Sequence, residues 1–128
     1  MRKLVIIPTY NERENISAMI DKVFSLSEPF ELLVIDDGTA AIVRRRQKEF
    51  PERLHLIERS GKQGLGTAYL TGFEWGLSRG FDLICEMDCD FSHNPDDLVR
   101  LCRAAEQGGD VVVGSRYVEG VNVVNWLP

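Results

Sequence analysis

The stretch Phe81-Asp82-Leu83-Ile84-Cys85-Glu86-Met87-Asp88-Cys89-Asp90 decides the fold, through its own pattern and through the helix start just beyond it. Phe81 to Met87 is a short, mostly apolar run, as expected of a buried strand, and it breaks off into acids. Asn94-Pro95-Asp96-Asp97 then opens a helix: a capping Asn, Pro at the first position, and acids at the positive end of the helix dipole. The core face of that helix is Leu98, Leu101, Cys102 and Ala105, and Gly108-Gly109 ends it. A strand feeding a helix is the unit of a parallel sheet, and the unit recurs in both directions from here.

Upstream, Lys3 to Pro8 is an apolar strand. Ile16, Met19, Ile20, Val23 and Phe24 then fall at helical spacing. Leu32 to Ile35 is a second strand, ending in Asp36-Asp37-Gly38. A helix over Thr39 to Phe50 is stopped by Pro51, and Leu54 to Ile57 is a third strand. After the loop Gly61-Lys62-Gln63-Gly64-Leu65-Gly66, a helix carries Tyr69, Gly72, Phe73, Gly76 and Leu77 on one face. Its two glycines cost helix propensity, so close packing is expected to require them. Downstream, Asp110 to Gly114 is a fifth strand. The fold class is therefore α/β, a parallel sheet with helices on both faces. Ligands of such sheets bind beyond the carboxyl ends of the strands.

Composition narrows the function. The 128 residues include 20 acids and 15 bases, a net charge of −5, with 44% hydrophobic and 27% charged residues. That is globular composition, and its acidic balance argues against a general nucleic-acid binder. No apolar run approaches the ~18 residues of a membrane span, and five apolar residues after Lys3 are too few for a secretory signal. A soluble, intracellular, single-domain protein is expected. Cys85, Cys89 and Cys102 have no C-x-x-C pairing and read as reduced, buried thiols.

Polar groups converge at the strand ends: Pro8-Thr9-Tyr10-Asn11-Glu12, Asp36-Asp37-Gly38, the Lys62 loop, Asp88-Cys89-Asp90 and Ser115-Arg116-Tyr117. Side chains alternate along a strand, so Cys85, Met87 and Cys89 point one way and Glu86, Asp88 and Asp90 the other. Two carboxylates on one side, with oxygen-only chemistry, suit Mg²⁺ or Mn²⁺; the alternative is that Asp90 only caps a turn. The glycine loop is neither a P-loop nor a dinucleotide fingerprint, since Thr67 and Tyr69 stand where those motifs need Lys and Gly. It holds an anion or is a plain turn. Asp36-Asp37 suits a metal, the donors of a base or ribose, or a solvated turn. Arg116 is a phosphate clamp or a surface residue. Arg44-Arg45-Arg46-Gln47-Lys48 reads as a solvated helix face. His55 and His93 lack metal-pair spacing. Tyr10, Tyr69 and Trp75 read as core or pocket wall.

As a set, Pro8-Thr9-Tyr10-Asn11-Glu12, Val34-Ile35-Asp36-Asp37-Gly38, Gly64-Leu65-Gly66-Thr67-Ala68-Tyr69, Glu86-Met87-Asp88-Cys89-Asp90-Phe91-Ser92-His93-Asn94-Pro95 and Gly114-Ser115-Arg116-Tyr117 resemble family 2 inverting glycosyltransferases of GT-A fold. The branch they most resemble is the polyprenol-phosphate (dolichol-phosphate) mannosyltransferases. The resemblance implies a mostly parallel, Rossmann-like nucleotide-diphospho-sugar transferase fold. It implies mannose transfer from GDP-mannose to a polyprenyl phosphate at the cytoplasmic face of a membrane, with Mg²⁺ or Mn²⁺. Pro8, Tyr10 and Glu12 would line the nucleotide site, and Ile35 and Asp37 would contact base and ribose. Asp88, Cys89 (through its backbone) and Asp90 would hold the diphosphate, with Asp88 and Asp90 on the metal. Ser92 stands where some relatives have a Gln metal ligand. Lys62 and Arg116 would face phosphates, and Asp90 and Arg116 would be the catalytic pair. An anionic acceptor phosphate needs no strong general base.

Two departures stand out. The family usually has several more residues between Asp-Asp-Gly and the next helix, whereas Gly38 runs straight into Thr39, which reads as a deletion or a lost loop. Relatives also continue past Asn125-Trp126, so residues 1–128 are expected to be the donor-binding portion of a longer transferase domain. Two rival readings remain. A receiver domain would need its Asp pair after the first strand and a Lys after the fifth. A binding module would hold nucleotide without transfer, and within the family another donor such as UDP-glucose is the alternative.

Overall fold

The computed structural model describes residues 2–10, 12–38, 40–59, 64–89, 94–106, 111–113 and 122–125. Strands β1 (Lys3–Thr9), β2 (Glu31–Asp36), β3 (Leu54–Glu58) and β4 (Leu83–Glu86) alternate with helices α1 (Ile16–Phe24), α2 (Ala40–Gln47), α3 (Leu65–Ser78) and α4 (Asp97–Glu106). Strands β5 (Val111–Val113) and β6 (Asn122–Asn125) come last. They form one six-stranded sheet in the order β3-β2-β1-β4-β6-β5. The first four strands are mutually parallel, while β6 runs antiparallel to both β4 and β5. The sheet is mostly parallel, as the resemblance implies, but it holds a strand the sequence reading did not include: β6 takes the place beside β4 that a simple strand-helix-strand reading gives to β5. Periodicity identifies a strand but does not say which neighbour it pairs with.

Every residue of β1 except Pro8 is buried, as is every residue of β2 except Glu31, which fits strands covered on both faces. Alternation sorts their side chains into two cores. Val5, Ile7 and Val34 pack with Ile16, Met19, Leu98 and Leu101, beneath α1, α2 and α4. Leu4, Ile6, Leu33 and Ile35 pack with Ala68 and Ile84 beneath α3. The buried face of α4 is the expected one, Leu98, Leu101, Cys102 and Ala105. The regular helix runs from Asp97, after a turn in which Asn94 Oδ1 accepts the Asp96 N–H at 3.0 Å, the bond expected of the capping Asn.

Helix α3 sits unusually low on the sheet. A Cβ on Gly72 would lie 2.7 Å from two Ile6 side-chain atoms, and one on Gly76 would lie 2.9 Å from Ile84 Cδ1. Close packing therefore requires both glycines, as the sequence suggests. The face they define is Ala68, Gly72 and Gly76, so Leu77 turns outward and is exposed, contrary to its expected place on that face. α2 is shorter than expected, ending at Gln47, with Phe50 packed at 4.5 Å on Phe24 of α1. Its arginines tie elements together: Arg46 pairs with Asp21 and Glu49, and Arg44 pairs with Glu58. Arg46 is 11% exposed, so that part of the basic run is not a solvated face.

All three cysteines are buried and unbridged. Cys85 and Cys102 share a thiol hydrogen bond at 3.4 Å, and that contact together with burial pushes the Cys85 thiol well above its usual range. They behave as small apolar core residues.

Candidate functional site

The carboxyl ends of β1, β2 and β4 and the start of α3 enclose a cavity of about 240 Å³. Its lining is Pro8, Thr9, Tyr10, Glu12, Asp37, Arg59, Gly64, Ala68, Asp88 and Cys89. Six residues singled out from the sequence are brought together here: Pro8, Tyr10, Glu12, Asp37, Asp88 and Cys89.

The acids at the end of β2 divide their work. Thr9 Oγ1 donates to Asp36 Oδ1 at 2.7 Å, and the Gly38 N–H donates to Asp36 Oδ2 at 2.9 Å. Both Asp36 oxygens are thus engaged inside the protein, and Gly38 turns the chain away at φ 139°. The Asp37 N–H donates to the Thr9 carbonyl at 2.9 Å, which carries the β1–β2 ladder one step further. Asp37 therefore points to the opposite side from Asp36 and borders the cavity.

Asp37 meets Arg59 there. Arg59 Nη2 donates to Asp37 Oδ2 at 2.8 Å and Nε to Oδ1 at 3.2 Å, a fork that matches the carboxylate. The two side chains are 9% and 5% exposed. Sequence reasoning passed over Arg59, which comes directly after β3. The signal lies in the register: Asp36 of β2 is level with Glu58 of β3, so the next residues, Asp37 and Arg59, come level too.

At the end of β4, the alternation holds as far as Asp88. Cys85, Met87 and Cys89 are buried in the core, and Asp88 lines the cavity. The Tyr69 hydroxyl on α3 donates to Asp88 Oδ1 at 3.1 Å, so Tyr69 does more than form a pocket wall. Tyr10 is half exposed beside the opening. Glu12 accepts from the Asn15 side-chain amide at 3.2 Å. Ile35 is fully buried beneath α3 and does not border the cavity. Trp75 packs on Phe81 and on His55, and His55 meets Glu31 at 2.9 Å near the other end of the sheet. Lys62, Asp90, Ser92 and Arg116 lie outside the described residues, as do His93 and Thr39. Among the described residues no three His, Cys, Asp or Glu converge as a metal-binding group, and no helix is long and apolar enough to cross a membrane.

The glycosyl transferase family 2 model matches residues 4–128. The chain belongs to glycosyl transferase family 2. Family relatives include a polyprenol monophosphomannose synthase of Mycolicibacterium smegmatis, 47% identical over 98% of this chain and 49% of its own length. An undecaprenyl-phosphate mannosyltransferase of Micrococcus luteus is 44% identical over 98% of this chain and 53% of its own. The chain thus spans about half the length of these curated relatives. A mannosyltransferase from Pyrobaculum calidifontis, solved with GDP-Man and Mn²⁺, superposes with a TM-score of 0.78 at 22% identity, over 97% of this chain and 44% of that one. That likeness is one of fold, and the fold of this family 2 chain is of GT-A type.

Proposed function

We propose that residues 1–128 form the donor-binding portion of a mannosyltransferase that transfers mannose from GDP-mannose to a polyprenyl phosphate with inversion. One observation carries the reading. Besides Glu12, one cavity is lined by two carboxylates at separate strand ends, Asp37 after β2 and Asp88 after β4, with the turn that opens α3 beside them. One end suits hydroxyl and N–H donors of a nucleoside, and the other suits a diphosphate with its cation. The names of the relatives support mannose as the sugar and a polyprenyl phosphate as the acceptor.

In this reading Pro8, Tyr10 and Glu12 line the nucleotide, and Asp37 accepts from ribose or base. Asp88 and Asp90 hold Mg²⁺ or Mn²⁺. Asp88 fits that role as an oxygen donor on the cavity lining, oriented by Tyr69. When bound, the cation offsets charge developing on the departing diphosphate. Lys62 and Arg116 add contacts to phosphates, and Ser92 stands at the position of a metal ligand in some relatives. An acceptor phosphate oxygen attacks the sugar's anomeric carbon from the side opposite GDP. The new carbon–oxygen bond forms as the bond to GDP breaks, which inverts that centre. The acceptor oxygen is already anionic, so no side chain has to remove a proton. In this reading the apolar acceptor tail brings the work to a membrane surface, and the family resemblance implies its cytoplasmic face.

Calorimetry with GDP and UDP, with and without Mn²⁺, and then a donor screen on polyprenyl phosphate with the full-length protein, tests this. Expected are preferential GDP binding, strengthened by Mn²⁺, and mannosyl transfer. Binding without transfer would favour a nucleotide-holding module instead. Binding of neither nucleotide would overturn the assignment.

A further inference from the structure

We infer that Arg59 is a positioning residue that aims Asp37 into the cavity and locks the start of α3 to the sheet. The inference rests on the nucleotide-sugar reading above and deepens it. Arg59 is held from behind, because its backbone N–H donates to the Asp36 carbonyl at 2.9 Å. Its guanidinium then reaches three partners on two elements. Beyond the fork onto Asp37, Nη1 donates to Thr67 Oγ1 at 3.1 Å and Nη2 to the Gly64 carbonyl at 3.3 Å.

Gly64 is the residue that opens α3, at φ 95°, and among the described residues no side-chain cap holds that helix start. Thr67 Oγ1 donates to the same Gly64 carbonyl at 3.0 Å, so Arg59 and Thr67 together grip the turn. The same helix carries Tyr69, which donates to Asp88. One buried guanidinium therefore orients the acid at the nucleoside end directly. It also steadies the helix that orients the acid at the diphosphate end. A fork fixes both carboxylate oxygens of Asp37 in one plane, leaving their outer lone pairs toward the cavity. An ammonium is a point charge and cannot fix that plane or span the three partners.

The test compares Arg59→Lys, Asp37→Asn, Thr67→Val and the double variant Arg59→Lys/Asp37→Asn with wild type in the full-length protein. The readouts are GDP calorimetry, GDP-mannose kinetics and thermal unfolding. For Arg59→Lys the expected result is a GDP Kd and a donor KM raised about tenfold, with kcat within about threefold. The double variant should bind GDP about as weakly as Asp37→Asn alone, because the two residues act as one unit. Thr67→Val, at an exposed position, should weaken GDP about threefold with the unfolding midpoint unchanged. GDP affinity of Arg59→Lys within twofold of wild type, or losses that simply add in the double variant, would overturn the inference while leaving the donor reading intact. Should Arg59→Lys not fold, Thr67→Val decides, and unchanged affinity there overturns it. A wild type that binds neither GDP nor UDP overturns the donor reading and this inference together.

Discussion

The two ends of the parallel strands carry similar charged residues put to different use. At the amino end, Lys3 is 8% exposed and bonds Glu28 at 2.8 Å and Glu106 at 3.0 Å. Arg2 pairs with Glu31 at 3.2 Å, stacks on Phe81 and donates to the Arg79 carbonyl. These contacts join β1, β2, the residues preceding β2 and the ends of α3 and α4, and the charges face one another. At the carboxyl end, Asp37 and Asp88 each have a protein partner on one side and the cavity on the other. Enclosure by partners makes a charge structural, whereas among the described residues Asp37 and Asp88 keep one side on the cavity.

The sharpest way to break this contrast is Asp88→Asn. The amide oxygen still accepts from Tyr69, so the fold should keep its unfolding midpoint. On the proposed function, transfer should fall by about 100-fold or more, since the charge assigned to the diphosphate and its cation is lost. Steady-state rates within threefold of wild type would remove Asp88 from the site.

Lys3→Met should do the reverse. Stability should drop by about 2 kcal/mol in chemical unfolding, because Glu28 and Glu106 lose their cation, while GDP affinity stays unchanged. The pH dependence has a definite sign. Burial acts to lower the Lys3 pKa, but its bonds to Glu28 and Glu106 prevail and the net shift is upward. Its contribution is therefore full below its ordinary 10.5 and is lost as pH rises through the higher folded value. Glu28 is lowered, chiefly by the Lys3 hydrogen bond. Its contribution is present above 4.5 and is lost as pH falls through the lower folded value. In Lys3→Met the acid loss should flatten, and unchanged acid sensitivity would contradict the pairing.

Thr9→Val gives the smallest effect and sharpens the boundary. It removes the buried bond to Asp36 at the functional end, yet Asp36 keeps the Gly38 N–H. A stability loss of about 1 kcal/mol is expected, with GDP affinity nearly constant. A large affinity loss would mean that Asp36 also serves the cavity.

Much of this was legible in the residues. The apolar runs of β1 and β2, the core faces of α1 and α4, the need for glycine at 72 and 76, and the buried cysteines arise from local periodicity and side-chain size. So does the turning of Asp88 away from Cys89, which strand alternation requires. Leu77 went astray because α3 is apolar nearly all round, and only the depth of its packing shows which face is inner.

The sequence by itself thus determined the first five strands and the four helices, most of their buried faces and the gathering of acids at one edge, because these depend on neighbours along the chain. Only the tertiary structure decided that β6 lies between β4 and β5, that Asp36 is structural while Asp37 faces the cavity, and that Arg59 holds Asp37. Those features depend on strand order and register. They join residues such as Asp37 and Arg59, 22 positions apart, that no local pattern relates.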